Sequence, residues 1–293
     1  MTSPSNSPEV RAVATQLSDL PEVCSFLHEN LGRRFTVQEW IASLTQSWAA
    51  VSPNFGMHLR CDGRVVGALC AIYSDQVIEG KVVSICNPHS WVVLEPFRSH
   101  SLGLLLRLLK QRSYHFTMFT PNPKVAKVFE GLRFRTLDDT MVHFLNVPTL
   151  SWLDKRSIVA SNKAQIAELL QGADLQDFKQ HADIPWLKFL AFGRQGGPLC
   201  LVVYKLTRWK RMPCAVLLHI SNAQTLAEQG GLLQSHLMLK GGVVWSRVEG
   251  RFLNQLPALA IKTKRGQPKL VLSAALQDNQ VKDLYSELVA LDL

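Results

Sequence analysis

The chain has 293 residues, 47% hydrophobic and 19% charged, which is enough apolar material for two ordinary domains and too much for a disordered chain. Its apolar runs stop far short of the ~20 residues a bilayer span needs, and the first eight residues have neither a basic nor an apolar signal segment, so no membrane span or secretory leader is expected. The formal charge of +9 asks for an anionic partner, but the sequence shows no RNA-binding signature of interleaved aromatic and basic residues, so nucleic acid is not an expected partner.

Cys24, Cys61, Cys70, Cys86, Cys200 and Cys214 form no Cys-x-x-Cys pair and lie mostly in apolar surroundings. They read as buried, reduced thiols of a cytoplasmic protein, with no metal site and no disulfide framework. Residues 1–9 read as a flexible tail. Val10 to Ala14 alternates as a strand, and Ser18-Asp19-Leu20-Pro21 opens a helix that Gly32 ends. The capping box Thr36-Val37-Gln38-Glu39 opens a second helix through about Trp48, with Trp40, Ile41, Leu44 and Trp48 on its core face.

Phe55 to Arg60 and Val65 to Tyr73 are strands joined by Asp62-Gly63, a strong hairpin signal. Lys81 to Cys86 is a further strand, running through Asn87-Pro88 into another at Ser90 to Leu94. Glu95-Pro96-Phe97 breaks it. The turn Arg98-Ser99-His100-Ser101-Leu102-Gly103 leads into an apolar helix start at Leu104. Strand, small-residue loop and helix N-terminus suit an anion, because free backbone N–H groups and the helix dipole point at one spot. A strand at Tyr114 to Thr120 follows, and Pro121-Asn122-Pro123 opens a helix through Leu132. Met141 to Leu145 is expected to close this domain, and residues 146–149 look like a boundary.

This order resembles the coenzyme A-binding core of the GNAT acyltransferase superfamily over roughly residues 10–147. That family's loop reads Arg/Gln-x-x-Gly-x-Gly/Ala, and Arg98 to Gly103 matches it with Ser101 in place of the first glycine. The next helix of the family carries an Asn, a Tyr seven residues on, then Gly-Phe; here Asn122 is present, Phe129 takes the tyrosine's place and Arg133-Phe134 replaces Gly-Phe. The resemblance implies an α/β fold with a mixed, mostly antiparallel central sheet flanked by helices. Residues 150–293, with their order strand–strand–helix–strand, read as a second α/β domain in tandem, GNAT-like but without the loop.

By the same resemblance, acetyl-CoA or another acyl-CoA is the co-substrate, without a metal. Val92, Val93 and Leu94 would hold its pantetheine arm, and the amides of Arg98, Ser99, His100, Ser101, Leu102, Gly103 and Leu104 its pyrophosphate, with Asn122 and Phe129 from the following helix. His89 is the candidate base, since an unperturbed imidazole titrates near ~6.5. Ser90 or Asn87 would orient the acceptor or a bridging water, and Asp75 and Glu79 are the carboxylate alternatives. Phe129 has no hydroxyl to protonate the leaving thiolate.

The function implied is acyl transfer from coenzyme A to an amine or hydroxyl of a small metabolite or sugar. Two alternatives stand beside it: a non-catalytic GNAT-like protein that binds acyl-CoA or a partner, and an aminoacyl-tRNA-dependent transferase.

Overall fold

The computed structural model describes residues 9–293, so the expected tail lies outside the described residues except for Glu9. In chain order the strands are β1 (Val10–Ala14), β2 (Gly56–Cys61), β3 (Arg64–Ile78), β4 (Lys81–Val93), β5 (His115–Met118), β6 (Arg135–Thr136), β7 (Thr140–Leu145), β8 (Ser157–Ala160), β9 (Lys188–Arg194), β10 (Leu199–Trp209), β11 (Met212–Ile220), β12 (Trp245–Glu249), β13 (Ala260–Lys264) and β14 (Leu270–Leu272). The helices are α1 (Leu20–Asn30), α2 (Val37–Leu44), α3 (Ser101–Leu108), α4 (Pro123–Gly131), α5 (Lys163–Leu169), α6 (Gly172–His181), α7 (Ala223–Gly241) and α8 (Glu287–Ala290). They form two mixed, mostly antiparallel sheets in two compact units.

Among the described residues the first unit comprises 9–135, 269–274 and 285–293, and the second 136–268 and 275–284. The first sheet runs β1-β2-β3-β4-β5-β14-β6 and the second β13-β7-β12-β11-β10-β9-β8. The strand expected to close the first domain, Met141 to Leu145, therefore belongs to the second sheet, where β7 pairs antiparallel with β12 and β13. The first sheet takes β14 against β5 instead. A six-residue apolar strand carries no mark of which sheet it will join, because only cross-strand partners decide that.

In the first unit the local signals act as the sequence suggests. Thr36 and Glu39 form a reciprocal capping box at α2, and Asn122 caps α4 by accepting from the amides of Lys124 and Val125. α2 stops at Leu44, four residues early, and Trp48 reaches the core from a loop, edge-on to Tyr285 at 5.6 Å. Gly56 is obligatory: its φ is +111°, and a Cβ there would lie 2.2 Å from the carbonyl oxygen of Leu69. On one sheet face Leu69, Tyr73 and Phe116 pack with Leu104, Leu105 and Leu108 of α3 and with Phe129 and Phe134. Each such fully buried side chain contributes roughly 1.5–3 kcal/mol.

β3 and β4 form one long hairpin closed by Glu79 and Gly80, both at positive φ, so the strand segments expected on either side of Asn87-Pro88 are continuous. Proline is tolerated there for a local reason. Its partner Ala71 donates its own N–H to Phe55 on the other flank, so the Ala71–Pro88 pair exchanges no hydrogen bond. The imide nitrogen of Pro88 then faces the β5 side of the ladder, and β5 pairs with β4 only at Ile85 and Cys86.

The second unit repeats the order strand, two helices, three antiparallel strands, helix, parallel strand, in β8, α5, α6, β9, β10, β11, α7 and β12. α7 is a single helix of 19 residues, capped by Asn222, that passes straight through Gly230-Gly231. Its apolar face packs on Val142, Phe144, Val202, Ala215 and Leu217. Arg251 is buried in an ion-pair network, 2.6 Å from Glu249 and 2.7 Å from Asp283.

Candidate functional site

Beyond Cys86 the two central strands of the first sheet separate. β4 continues to Val93, β5 ends at Met118, and no ladder joins them past that point. Three features of the sequence produce the gap. Pro88 offers β5 no donor, the carboxamide of Asn87 takes over by donating to Thr117 O (3.2 Å) and Thr117 Oγ1 (3.1 Å), and Ser90 is an extra residue in β4. Leu69 pairs with Trp91 and Cys70 with His89, so Ser90 forms a bulge, held at φ +52°. Strain of this kind in a non-glycine residue collects at functional positions.

The C-terminal segment of the first unit lies at this gap. The amide of Glu287 donates to Asn87 Oδ1 (3.2 Å), and Thr120 Oγ1 donates to Glu287 Oε1 (2.8 Å). Glu287 is only 1% exposed, and its second oxygen, Oε2, has no hydrogen-bond partner. Burial pushes its carboxyl above the usual carboxylate range, against the opposing pull of Thr120 and the buried Lys269. A carboxyl of raised proton affinity with one unsatisfied oxygen at a strand gap is suited to receive a proton.

His89, the candidate base from sequence, is 1% exposed. Its Nδ1 lies 2.9 Å from Ser90 Oγ, its Nε2 is unpaired, and burial pushes its pKa down to about 3. Such an imidazole is neutral across the physiological range and only weakly basic. Asn87 is buried as the bridge described above. Asp75 caps other elements, accepting from the amide of Ala50 and from Ser84 Oγ.

Val92, Val93 and Leu94, where the pantetheine contacts were expected, are half-buried at the open end of β4, as is Trp91. Trp91 packs edge-on to Phe129 at 6.2 Å, and its Nε1 is unpaired. Phe129 is fully buried against Phe134 at 4.7 Å, so the position of the family's tyrosine is a core position in this chain. Asn122 is exposed and spends its side-chain oxygen on capping α4.

The expected phosphate loop is helical. A 3-10 turn over Glu95–His100 runs directly into α3, with the amide of Phe97 bonded to Leu94 O and that of Ser101 to Arg98 O. Of the amides expected to cradle a diphosphate, that of Ser101 is thus already spent. Arg98, Ser99, His100 and Leu102 face solvent, and Ser101 and Gly103 are half-buried, whereas Leu104 is in the core. Arg98 lies 3.6 Å from Glu95 in an exposed pair, worth little and easily exchanged for an anion.

Glu287 is the residue that sequence reasoning missed. It lies two hundred residues from Asn87, on a helix of one turn, and its only local signal is Ser286 as an N-cap. The two cavities that stand out, about 520 Å³ beside Trp152, Tyr204, His236 and Lys240 and about 200 Å³ between α7 and residues 253–258, are lined only by residues of the second unit.

No protein-family model and no curated protein sequence matches the chain. Solved structures do. A GCN5-related N-acetyltransferase from Anabaena variabilis superposes with a TM-score of 0.58 at 10% identity, covering 90% of this chain and 72% of that one. One from Kribbella flavida gives 0.57 at 12%, covering 92% and 72%. A conserved protein of unknown function from Enterococcus faecalis gives 0.61 at 10%, covering 93% and 74%. The chain has the GNAT fold.

Proposed function

We propose that the first unit transfers an acetyl or other acyl group from coenzyme A to an amine or hydroxyl of a small acceptor, with Glu287 as the base. The observation that carries this reading is the buried carboxyl with a free oxygen at the gap between β4 and β5. The thioester would lie along the open edge of β4, against Val92, Val93 and Leu94, with the phosphates toward Arg98, Ser99 and His100. The acceptor's nitrogen or oxygen attacks the thioester carbonyl, the new C–N or C–O bond forms and the C–S bond breaks. The acceptor's proton passes to Glu287, directly or through one water. The thiolate leaves without a tyrosine to protonate it and takes its proton from solvent, which a thiol pKa near ~8.5 allows. His89 supports the site as a neutral side chain holding Ser90 in the bulge.

Two findings favour a second reading, a GNAT-fold protein that holds acyl-CoA or a partner without catalysis: the Ser101 amide is spent and Phe129 lacks a hydroxyl. Thiol release from acetyl-CoA and longer acyl-CoAs, measured over a panel of amines, amino sugars and alcohols, separates the two. Acceptor-dependent release is the expected result, and stoichiometric acyl-CoA binding without release from any acceptor would favour the second reading.

A further inference from the structure

We propose that the second unit binds single-stranded nucleic acid on the half of its sheet that its own helices leave open. α5 and α6 lie toward the β9 edge, where Phe178 packs on Phe189, and α7 fills the opposite face. Cross-strand register then places Thr207, Trp209, Trp245, Arg247 and His143 together on the face away from α7. Trp209 stacks on His143 at 4.4 Å with 25° between the rings, and Trp245 meets Trp209 edge-on at 4.6 Å. Both tryptophans are half-buried, and they sit on a sheet rather than on a protruding loop.

Charge and unmet hydrogen-bonding capacity accompany the rings. Arg208, Lys210, Arg211 and Arg247 make no ion pair among the described residues. Arg247 Nε, Trp245 Nε1 and His143 Nδ1 are buried without a hydrogen-bond partner. Lys210 and Arg211 form the two-residue turn between β10 and β11 at φ +48° and +68°, a conformation that normally selects Asn or Gly. Two cations at that bend, with Lys210 over the Trp209 ring, together with the unpaired Arg247 call for an anion that carries flat rings of its own.

Single-stranded nucleic acid meets these demands together. Its phosphates suit the unpaired cations, its bases stack on aromatic platforms, and base edges accept from Trp and Arg donors. Lys210 Nζ lies 4.6 Å from the centre of the Trp209 ring; the side chain is exposed, so it can swing to a phosphate and free that ring face. An anionic membrane would instead favour rings that protrude. The sequence alone argued against a nucleic-acid partner because these residues come from three separate stretches and meet only on folding.

The test is fluorescence anisotropy of the full chain with labelled oligouridylate and oligothymidylate at two salt concentrations. Expected are binding that weakens as salt rises and a loss of about 10-fold or more in Lys210→Glu/Arg211→Glu, both exposed turn residues, and in Trp209→Ala. Absence of oligonucleotide binding overturns the proposal. So does affinity unchanged in the charge-reversal variant, or retention on phosphatidylserine vesicles with none on oligonucleotide. Acyl transfer in the first unit does not enter these readouts, so either proposal can fail alone.

Discussion

Replacing Glu287 by Gln is the sharpest perturbation of the proposed site, because it changes proton affinity and little else. The carboxamide keeps the volume of the carboxylate and an oxygen to accept from Thr120 Oγ1, while the bond to Asn87 comes from the backbone amide and is untouched. A positioned general base contributes about 10²–10⁴-fold, so turnover should fall by that factor, ~2.7–5.4 kcal/mol in the barrier. Affinity for acyl-CoA should stay within about 2-fold.

The pH dependence gives a second readout. Because burial raises the carboxyl's pKa, the rate should climb with pH through a value above the usual 4.5 of a glutamate, and Gln should abolish that limb. Stability runs the other way. A raised folded-state pKa gives stability that is fully present below the unfolded value and is lost as pH rises through the folded one, so the wild type should lose ground to Glu287→Gln as the medium goes from acid to neutral. Initial rates of thiol release against pH, beside thermal unfolding of both proteins, measure all of this. An unchanged rate in Glu287→Gln would refute the assignment.

Other changes should act through neighbouring groups. Arg98→Glu should weaken acyl-CoA binding by at least ~10-fold, about 1.4 kcal/mol, in a calorimetric titration, and equal affinity would remove the helical turn at Glu95–His100 from the phosphate site. Arg251→Met removes the buried guanidinium that bridges Glu249 and Asp283 in the second unit, leaving Arg265 on Glu249, and should cost about 3–5 kcal/mol in denaturant unfolding; a loss under about 1 kcal/mol would mean the remaining partners of the two carboxylates suffice. His89, held neutral by burial with a pKa near 3, favours the fold above the usual imidazole value of 6.5 and loses that advantage as pH falls toward 3. His89→Gln should flatten this acid limb, and an unaltered acid transition would show that another group controls it.

Much of the first unit was legible because its signals are local. The capping box at Thr36, the Asp-Gly turn at 62–63 and the strand–turn–helix around Arg98 each act within a few residues. What escaped depends on long-range pairing. Met141 to Leu145 is a plausible strand wherever it goes, and its partners Trp245 to Glu249 lie a hundred residues on. Pro88 was expected between two strand segments, yet both belong to one β4, because its missing N–H falls on the side that β5 has left. His89 drew notice by its chemistry, but only the fold shows that burial has made it a weak base. Glu287 had chemistry of the right kind in a place no motif marks.

The most direct test of the account is a calorimetric titration of the intact chain with acetyl-CoA. One site per chain, with heat that weakens as salt rises because phosphates meet Arg98, is the expected result. No saturable binding of acetyl-CoA or of any longer acyl-CoA would contradict it, leaving a GNAT fold whose strand gap serves another ligand.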